Sequence, residues 1–383
     1  MARQAAAWIA GAYEHPRRKI PDITVPQLIA EVAYGALADS GLSLADVDGF
    51  CCSEVPGMGS TGMAEYLGLT ELSYVDVTEG GGASYPMHVG HAAAAIAAGK
   101  CSIVLIAMGG LPLSGRGTKG RPGPETPYES YGLSTPASYA LAAQRHMYEF
   151  GTTAEQLAAI KVAAAHHAQY NPNALLRKPV TIEEVVNSPM ISDPLHRMDC
   201  CVTTDGGGAV IVVSEAVART LPRRAVKVLG HGETVRHNAL GAIDLTASGA
   251  AVSGPRAFAE ARLTPKDVDY ASIYDSFTIT VLLSLEDLGF CEKGKGGAFV
   301  ADGALQAPFG ALPFNTDGGG LCNNHPDMRG GMIRTIEAVR QLRGEAAPQV
   351  QVPNCRIALV QGHGGSIGTR SAAATLLLGA EDA

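Results

Sequence analysis

The 383-residue sequence has few aromatic residues and few charges, and it lacks the basic surface of a nucleic-acid-binding protein. Aromatic residues make up 5% of the chain, with a single tryptophan, and charged residues make up 17%. Acidic residues outnumber basic ones, and the net charge is −8. A protein of this charge does not attract nucleic-acid phosphates or anionic lipids. We therefore expect neither a nucleic acid nor a membrane as a partner.

Several other patterns are missing. The eight cysteines include two adjacent pairs, Cys51/Cys52 and Cys200/Cys201, but no Cys-x-x-Cys. The N-terminus lacks the charged and apolar regions of a signal peptide, and the most apolar windows, such as Cys101 to Gly110, are too short to span a bilayer. These absences predict a cytosolic protein with reduced thiols and no metal site. With 46% hydrophobic residues, the chain is expected to form one large domain or two closely packed ones.

An internal repeat organises the chain. The segment ALADSGLSLADVDG, from Ala36 to Gly49, is matched by AFAEARLTPKDVDY, from Ala257 to Tyr270. Further on, Glu79-Gly-Gly-Gly returns as Asp317-Gly-Gly-Gly, and the apolar segment that starts at Cys101 returns at Cys355. Three matches in the same order predict two similar α/β units in tandem.

Each unit is predicted to contain a helix, a strand, a glycine turn, a buried helix and another strand. The segment Met87 to Ala98 is apolar on every side, which indicates a helix in the middle of the structure. A long stretch from residue 111 to 194 separates the parts of the first unit, and an insertion of this length is often a substrate lid. We predict a first half formed by residues 1–110 and 195–220, an insertion 111–194, and a second half 221–383.

Two longer segments carry a resemblance to a known family. They are NPNALLRKPVTIEEVVNSPMISDPLHRMDCCVTTDGGGAVIV, and NTDGGGLCNNHPDMRGGMIRTIEAVRQLRGEA followed by VQGHGGSIGTRSAAATLLL. Together with the repeat, they resemble the thiolase superfamily over essentially the whole chain, and particularly its sterol-carrier-protein-type and archaeal branch. The resemblance implies the thiolase fold, in which duplicated βαβαβ halves form a five-layered α-β-α-β-α sandwich. It also implies a coenzyme A thioester as substrate and no other cofactor.

The nucleophile of the family is missing. Thiolases of this branch carry a cysteine in a pattern close to Glu-Ala-Ala-Cys-Ala-Ser-Gly-Gly, at the start of the buried helix. This chain has Glu79-Gly-Gly-Gly-Ala-Ser-Tyr-Pro, which places Gly82 at the position of the thiol. The spacing from Gly82 to the following Ala-Ile-Ala-Ala-Gly agrees with that of the family, so a shift in register does not explain the difference.

The resemblance assigns three further positions. Tyr274, in Ile-Tyr-Asp-Ser-Phe, replaces the histidine or asparagine that helps bind the thioester oxygen. His325, in Asn-His-Pro, matches the family's Gly-His-Pro histidine, and His363 lies in the glycine-rich segment that in many thiolases carries a second cysteine. Tyr274, His325 and His363 are thus candidate catalytic residues. Asp275 is a fourth candidate, although orienting a neighbour or bonding to the backbone is its more ordinary role.

Other residues are candidates for contacts with the thioester. Gly82 and Ser84 begin the buried helix, and the basic residues Arg116, Lys119 and Arg121 could meet the phosphates of coenzyme A, although a solvated loop explains them as well. The glycine runs lack the spacing of nucleotide-binding loops, so tight packing is their preferred interpretation. Cys322, three residues before His325, is a possible displaced nucleophile, whereas a buried free cysteine usually acts as a small apolar residue.

These residues favour carbon–carbon bond cleavage without an acyl-enzyme. A retro-aldol reaction of a β-hydroxyacyl-CoA needs a base for the hydroxyl proton and stabilisation of an enolate, but no thiol. Bacterial steroid side-chain aldolases, which the chain also resembles, look like thiolases without the nucleophile. We predict such an aldolase, acting on a steroid-like or aromatic acyl group. A β-ketoacyl-CoA thiolase or acyltransferase with another nucleophile, and a non-catalytic acyl-CoA-binding subunit, are the alternatives.

The mechanism and the partners follow as further expectations. Tyr274 is predicted to handle the β-hydroxyl proton with the help of a protonated His325, since a phenol is a poor base unless its anion is stabilised. His363 is placed in a glycine turn, where a lone histidine commonly faces solvent. The resemblance implies a homodimer, and a small zinc-ribbon/OB-fold subunit that would complete a heterotetramer and would hold any zinc.

Overall fold

The computed structural model describes residues 7–53, 55, 58–115, 134–237, 243–367 and 369–383. Within these residues, nine strands form one mixed sheet in the order β3-β2-β4-β7-β1-β8-β11-β10-β9, and β5 and β6 form a separate pair. The strands are β1 (Ala7–Glu14), β2 (Gly49–Cys51), β3 (Tyr74–Asp76), β4 (Ile103–Gly110), β5 (Met190–Ser192), β6 (Leu195–His196), β7 (Gly206–Ser214), β8 (Val226–Arg236), β9 (Tyr270–Ile273), β10 (Ile357–Ser366) and β11 (Thr369–Gly379).

The α-helices of the described residues cover both faces of this sheet. They are α1 (Val25–Ser40), α2 (Gly59–Leu67), α3 (Ser84–Ala97), α4 (Thr135–Phe150), α5 (Ala154–Ala168), α6 (Ile182–Val186), α7 (Glu215–Ala218), α8 (Ala250–Ala261), α9 (Thr278–Asp287), α10 (Gly296–Val300) and α11 (Gly330–Arg343). Their ends follow local sequence signals. Helix α1, for example, begins with a Thr24–Gln27 capping box and ends at Gly41, whose φ of 78° is in the left-handed region.

The sheet confirms the predicted duplication. In the first half β2 pairs in parallel with β3 and β4, and β4, β7 and β1 continue antiparallel. In the second half β9 pairs in parallel with β10, and β10, β11 and β8 continue antiparallel. A parallel bridge between Ala271 and Phe314 stands where the first half has the β2–β3 pair. The halves join along β1 and β8 over three residue pairs.

The five predicted layers are also confirmed. Helix α1 packs on one face of β1, β4 and β7, and α8 packs on β8 and β11. Between the two halves lie α3 and α11, which contact each other and strands of both halves. The predicted helix from Met87 to Ala98 is thus the C-terminal part of α3, and it occupies the middle layer. The described part of the insertion packs against the second half, since residues of α4 and α5 share an apolar core with α9.

Candidate functional site

Gly82 and Tyr274 lie in contact at the start of α3. A Cβ atom on Gly82 would overlap both the Tyr274 ring and the carbonyl oxygen of His363. The carbonyl oxygen of Gly82 is itself so close to Gly331, in α11, that a side chain there would overlap it. At the position where the resemblance expects a thiol, the chain therefore has no room for a side chain, because the phenol ring and the His363 carbonyl fill the space.

The phenol of Tyr274 is buried, 6% exposed, and its hydroxyl donates to the carbonyl oxygen of Asp327 at 3.4 Å. Burial raises the pKa of Tyr274 well above its ordinary value, and the nearby Cys201 and Tyr139 raise this pKa further. The group is therefore a neutral phenol at physiological pH. It can donate a hydrogen bond or relay a proton, but it is not a resident base.

His325 lies beside Tyr274. The two ring centroids are 5.3 Å apart at an interplanar angle of 63°, and the edge of the imidazole faces Gly320. The His325 backbone N–H donates to the Thr204 hydroxyl at 2.9 Å, which fixes the residue in place. Its buried Nε2 atom has no hydrogen-bond partner among the described residues. This imidazole nitrogen therefore has hydrogen-bonding capacity that no described residue uses.

The expected charge on His325 is wrong. Burial lowers the pKa of this histidine, and the opposing effect of the carboxylates of Asp275 and Asp327 is smaller. The resting site accordingly contains a neutral imidazole next to a neutral phenol, instead of the predicted imidazolium. Sequence reasoning missed this because the protonation state depends on burial, which the Asn-His-Pro motif does not encode.

Asp275 holds the turn that leads to His325. Its buried carboxylate accepts the backbone N–H groups of Gly320 at 2.8 Å and Leu321 at 3.1 Å, within the single π-helical turn Gly319–Asn323. From the other side, the buried ammonium of Lys161 on α5 donates to the Leu321 carbonyl oxygen at 2.7 Å. With both carboxylate oxygens occupied by backbone amides, Asp275 is placed to position this turn and not to exchange protons.

His363 does not lie in an exposed turn, as the sequence suggested. It is fully buried on β10, and its ring packs edge-on against Tyr139 of α4, with centroids 6.0 Å apart. Because Gly362 and Gly364 face the Gly80–Gly82 turn, the side chain of His363 between them points to the opposite face of the strand. Burial lowers the pKa of His363 to about 4, and both ring nitrogens are without hydrogen-bond partners among the described residues.

The predicted contacts to the thioester are only partly placed. The hydroxyl of Ser84 accepts the N–H of Gly80 at 2.8 Å and donates to the carbonyl of Gly81 at 2.8 Å, so it caps the glycine turn from within. Arg116, Lys119 and Arg121 lie outside the described residues.

The thiol of Cys322 is not exposed. The residue is buried at the π-helical turn, and burial raises its pKa. Cys201, next to Tyr274, also has a thiol pKa raised by burial. Because the thiolate is the reactive form, both environments disfavour a nucleophile. These observations weigh against Cys322 as a displaced nucleophile.

A buried polar network that the sequence did not reveal supports the loop before His325. Arg18 donates to Asn323 from Nε and Nη2, at 3.1 and 2.8 Å, and to Glu14 at 2.7 Å. Glu14 also accepts from the amide of Asn324 at 2.8 Å. The N-terminal strand is thereby connected to the loop of the second half, more than 300 residues later in the chain. No local pattern could have indicated it.

Among the described residues, no group of three or more His, Cys, Asp or Glu side chains is arranged to hold a metal ion. None of the helices in the described part of the chain combines the length and the apolar character that crossing a bilayer requires.

Comparisons with known proteins agree on the family and differ on the reaction. A family model described as thiolase C-terminal domain-like matches residues 232–380. An acetyl-CoA acetyltransferase of Methanothermobacter thermautotrophicus is 35% identical, over 91% of this chain and 93% of its own. A 17-hydroxy-3-oxo-4-pregnene-20-carboxyl-CoA lyase of Mycobacterium tuberculosis is 36% identical, over 85% of this chain and 88% of its own. The solved structure of the Ltp2-ChsH2(DUF35) aldolase covers 98% of both chains at 33% identity, with a TM-score of 0.88.

Proposed function

The chain belongs to the thiolase superfamily, and on that basis we propose that it cleaves the Cα–Cβ bond of a β-hydroxyacyl-CoA by a retro-aldol reaction. Sequence identity alone does not choose between this activity and thiolysis, since an acetyltransferase and a lyase are similar to the chain at 35% and 36%. The contact between Gly82 and Tyr274 favours the retro-aldol reaction over thiolysis. A phenol ring fills the space that a nucleophilic side chain would need.

The proposed reaction carries a proton from the β-hydroxyl to Cα by way of Tyr274 and His325, and both side chains end in their starting protonation states. As the β-hydroxyl gives its proton to the Tyr274 oxygen, the Tyr274 hydroxyl turns away from the Asp327 carbonyl and passes its own proton to the neutral imidazole of His325. The Cα–Cβ bond then breaks, its electron pair enters the thioester as an enolate, and the hydroxyl carbon becomes a ketone or aldehyde. The imidazolium formed at His325 stabilises the enolate oxygen and returns the proton to Cα. The lowered pKa of His325 supports this order, because the acceptor must begin unprotonated.

Tyr270, the first residue of β9, and Tyr274, the residue just after β9 ends, allow a matched test. Tyr274→Phe removes the proposed relay, and we expect kcat to fall about a hundredfold to ten-thousandfold with little change in thioester affinity. Tyr270→Phe is the control: it is a buried phenol four residues earlier, and its hydroxyl accepts from the N–H and the hydroxyl of Thr316 within the described part of the chain. It should lower stability by about 1 kcal/mol and leave turnover within a fewfold of wild type.

The second proposed participant predicts a related loss. His325→Ala should lower kcat about a hundredfold to a thousandfold. The double variant should lose less than the product of the two single effects, because the two groups act as a unit. Turnover of Tyr274→Phe near the wild-type value, with Tyr270→Phe equal to it, would falsify the relay.

The reaction class is tested with a panel of β-hydroxyacyl-CoA thioesters that carry aliphatic, aromatic and steroid acyl groups. Mass spectrometry should detect a carbonyl product and a shortened acyl-CoA. The steroid members are included because one relative is a pregnene-carboxyl-CoA lyase. A stable acyl adduct on the protein after incubation with acyl-CoA would instead support an acyltransferase that uses another nucleophile.

We further propose that the chain works as a dimer with an auxiliary subunit. Strand β3 is at the edge of the sheet. Val75 within it and Val77 just after it are 49% and 53% exposed, and pairing with a second copy would remove this aggregation hazard. The Ltp2 structure contains a DUF35 protein, ChsH2, which supports a similar partner here. Light scattering should show no monomer at micromolar concentration, and co-expression with such a subunit should yield a heterotetramer. A stable, active monomer would contradict both proposals.

A further inference from the structure

Tyr139, on helix α4 of the insertion, contacts both segments that carry the proposed site. Its hydroxyl donates to the carbonyl oxygen of Gly365 at 2.8 Å. Its ring stacks on Phe277, with centroids 4.3 Å apart at an interplanar angle of 28°. Phe277 closes the segment that begins at Tyr274, and Gly365 follows His363 by two residues. One side chain of the insertion therefore spans the ends of β9 and β10.

The segment that Tyr139 holds has an irregular backbone. Gly365 has a φ of 74°, and the pairing of β10 with β11 shifts register between Gly364 and Ser366. A strand that departs from regular pairing loses ladder hydrogen bonds and depends on other contacts to fix its path. The bond from Tyr139 to the Gly365 carbonyl is such a contact.

This segment in turn forms one wall of the Gly80–Gly82 turn. A Cβ atom built on Gly81 would lie 2.8 Å from the Cα atom of Gly364, and the His363 carbonyl faces Gly82. A displacement of residues 363–365 would therefore change the space between Gly82 and the Tyr274 ring. Main-chain contact between the two glycine segments leaves no flexible side chain to absorb the change.

His363 gives a second, independent reason to single out Tyr139. The imidazole is fully buried, and neither ring nitrogen has a hydrogen-bond partner among the described residues, so packing alone sets its orientation. The Tyr139 ring meets it edge-on at an angle of 80°. Tyr139 is itself held by the hydrogen bond to Gly365 and by the stack on Phe277. Its helix α4 is also attached to α9, because the Nε2 atom of His146 lies 3.1 Å from the carboxylate of Glu286.

We propose that Tyr139 is a positioning residue for the retro-aldol site. Through Tyr139 the insertion fixes the His363–Gly365 segment, and this segment in turn sets the space between Gly82 and Tyr274. This inference rests on the proposed function. Tyr139 touches none of the reacting atoms in that scheme; it acts by holding the backbone and the His363 ring. The insertion is in this respect part of the site and not a cover over it.

The test uses two substitutions at position 139 and the same two at an exposed tyrosine of the same helix. Tyr139→Phe keeps the stack and loses the Gly365 bond, whereas Tyr139→Leu loses both. Tyr148, which is 84% exposed on α4, provides the controls Tyr148→Phe and Tyr148→Leu. We expect kcat to fall about tenfold in Tyr139→Phe and about a hundredfold in Tyr139→Leu, with KM within about twofold, as for a misplaced catalytic geometry. Both controls should match wild type.

Hydrogen exchange of the peptide covering residues 361–367 gives a readout that does not need turnover. Exchange should be faster in Tyr139→Phe than in wild type and unchanged in Tyr148→Phe. A lower melting temperature with unchanged kcat and unchanged exchange would overturn the inference, because it would show a merely structural role. If the wild-type protein cleaves no thioester, the proposed function fails, and the exchange comparison alone decides whether Tyr139 holds the segment.

Discussion

The two glycine runs of the chain share a sequence pattern and a local hydrogen bond, but not a role. In each run the acidic residue accepts the N–H of the second glycine at 3.0 Å: Glu79 from Gly81, and Asp317 from Gly319. The environments differ. Glu79 is exposed, whereas Asp317 is buried and forms a two-pronged ion pair with Arg334, at 2.9 and 2.7 Å.

The chain also leaves the two runs differently. After Gly80–Gly82 it enters α3 directly, through one 3₁₀ turn. After Gly318–Gly320 it makes the π-helical turn and the loop that carries His325 before α11 begins. The first run thus supplies space, which Tyr274 fills, and the second supplies a polar side chain. The two copies of the duplicated unit thus differ in role: the glycine run of the first half leaves space for the Tyr274 ring, and the loop after the run of the second half carries His325.

The largest effect on activity is expected from filling the space at the first run. Gly82→Cys would drive the new side chain into the Tyr274 ring and the His363 carbonyl, and overpacking of this kind costs about 1–3 kcal/mol or more. We expect retro-aldol turnover to fall by more than about a hundredfold, without efficient thiolysis in its place. Steady-state kinetics on both substrate classes measures this.

A double variant and a control sharpen that prediction. Gly82→Cys combined with Tyr274→Gly removes the ring but leaves the His363 carbonyl beside the new side chain, so the introduced thiol should react faster with iodoacetamide than in the single variant. Gly62→Ala, on helix α2, adds a Cβ at 3.1 Å from the Met58 side chain and should leave activity unchanged. Efficient thiolysis by the single variant would refute the account of the first run.

The largest effect on stability is expected from replacing the acidic residue of the second run. Asp317→Asn leaves the buried guanidinium of Arg334 without its counter-charge, and loss of one partner of a buried pair costs about 3–5 kcal/mol. Glu79→Gln, at the exposed position, should change the free energy of unfolding by less than about 1 kcal/mol. Urea denaturation of both variants measures the difference. Equal losses would show that the buried pair contributes no more than the exposed turn.

The smallest effect concerns the histidine beside the first run. Because burial lowers the folded-state pKa of His363 to about 4, the folded protein binds fewer protons than the unfolded chain, whose histidine has a pKa of about 6.5. Stability should therefore fall as the pH drops from about 6.5 toward 4. Between pH 7 and pH 5 we expect His363→Leu to lose about 1–2 kcal/mol less of its free energy of unfolding than the wild type loses. Identical pH dependence in urea denaturation would mean that this ring is hydrated or paired.

Much of the fold was predictable because its signals are local. The apolar composition of Met87 to Ala98 indicated a helix in the middle layer, and α3 is in that place. The repeated Asp-Val-Asp segments precede equivalent strands, β2 and β9. Helix caps, glycine turns and apolar periodicity are properties of short segments, so they can be recognised before any tertiary contact is known.

The sequence by itself determined the duplicated fold, the family resemblance, the missing thiol at Gly82 and the candidates Tyr274 and His325. Only the tertiary structure decided that the Tyr274 ring fills the space at Gly82, that His325 and His363 are neutral, that the side chain of His363 turns toward the insertion, and that Tyr139 holds it there. The physical reason is that steric fit and protonation depend on how closely distant segments pack and how far they exclude water, and no short stretch of sequence contains either quantity.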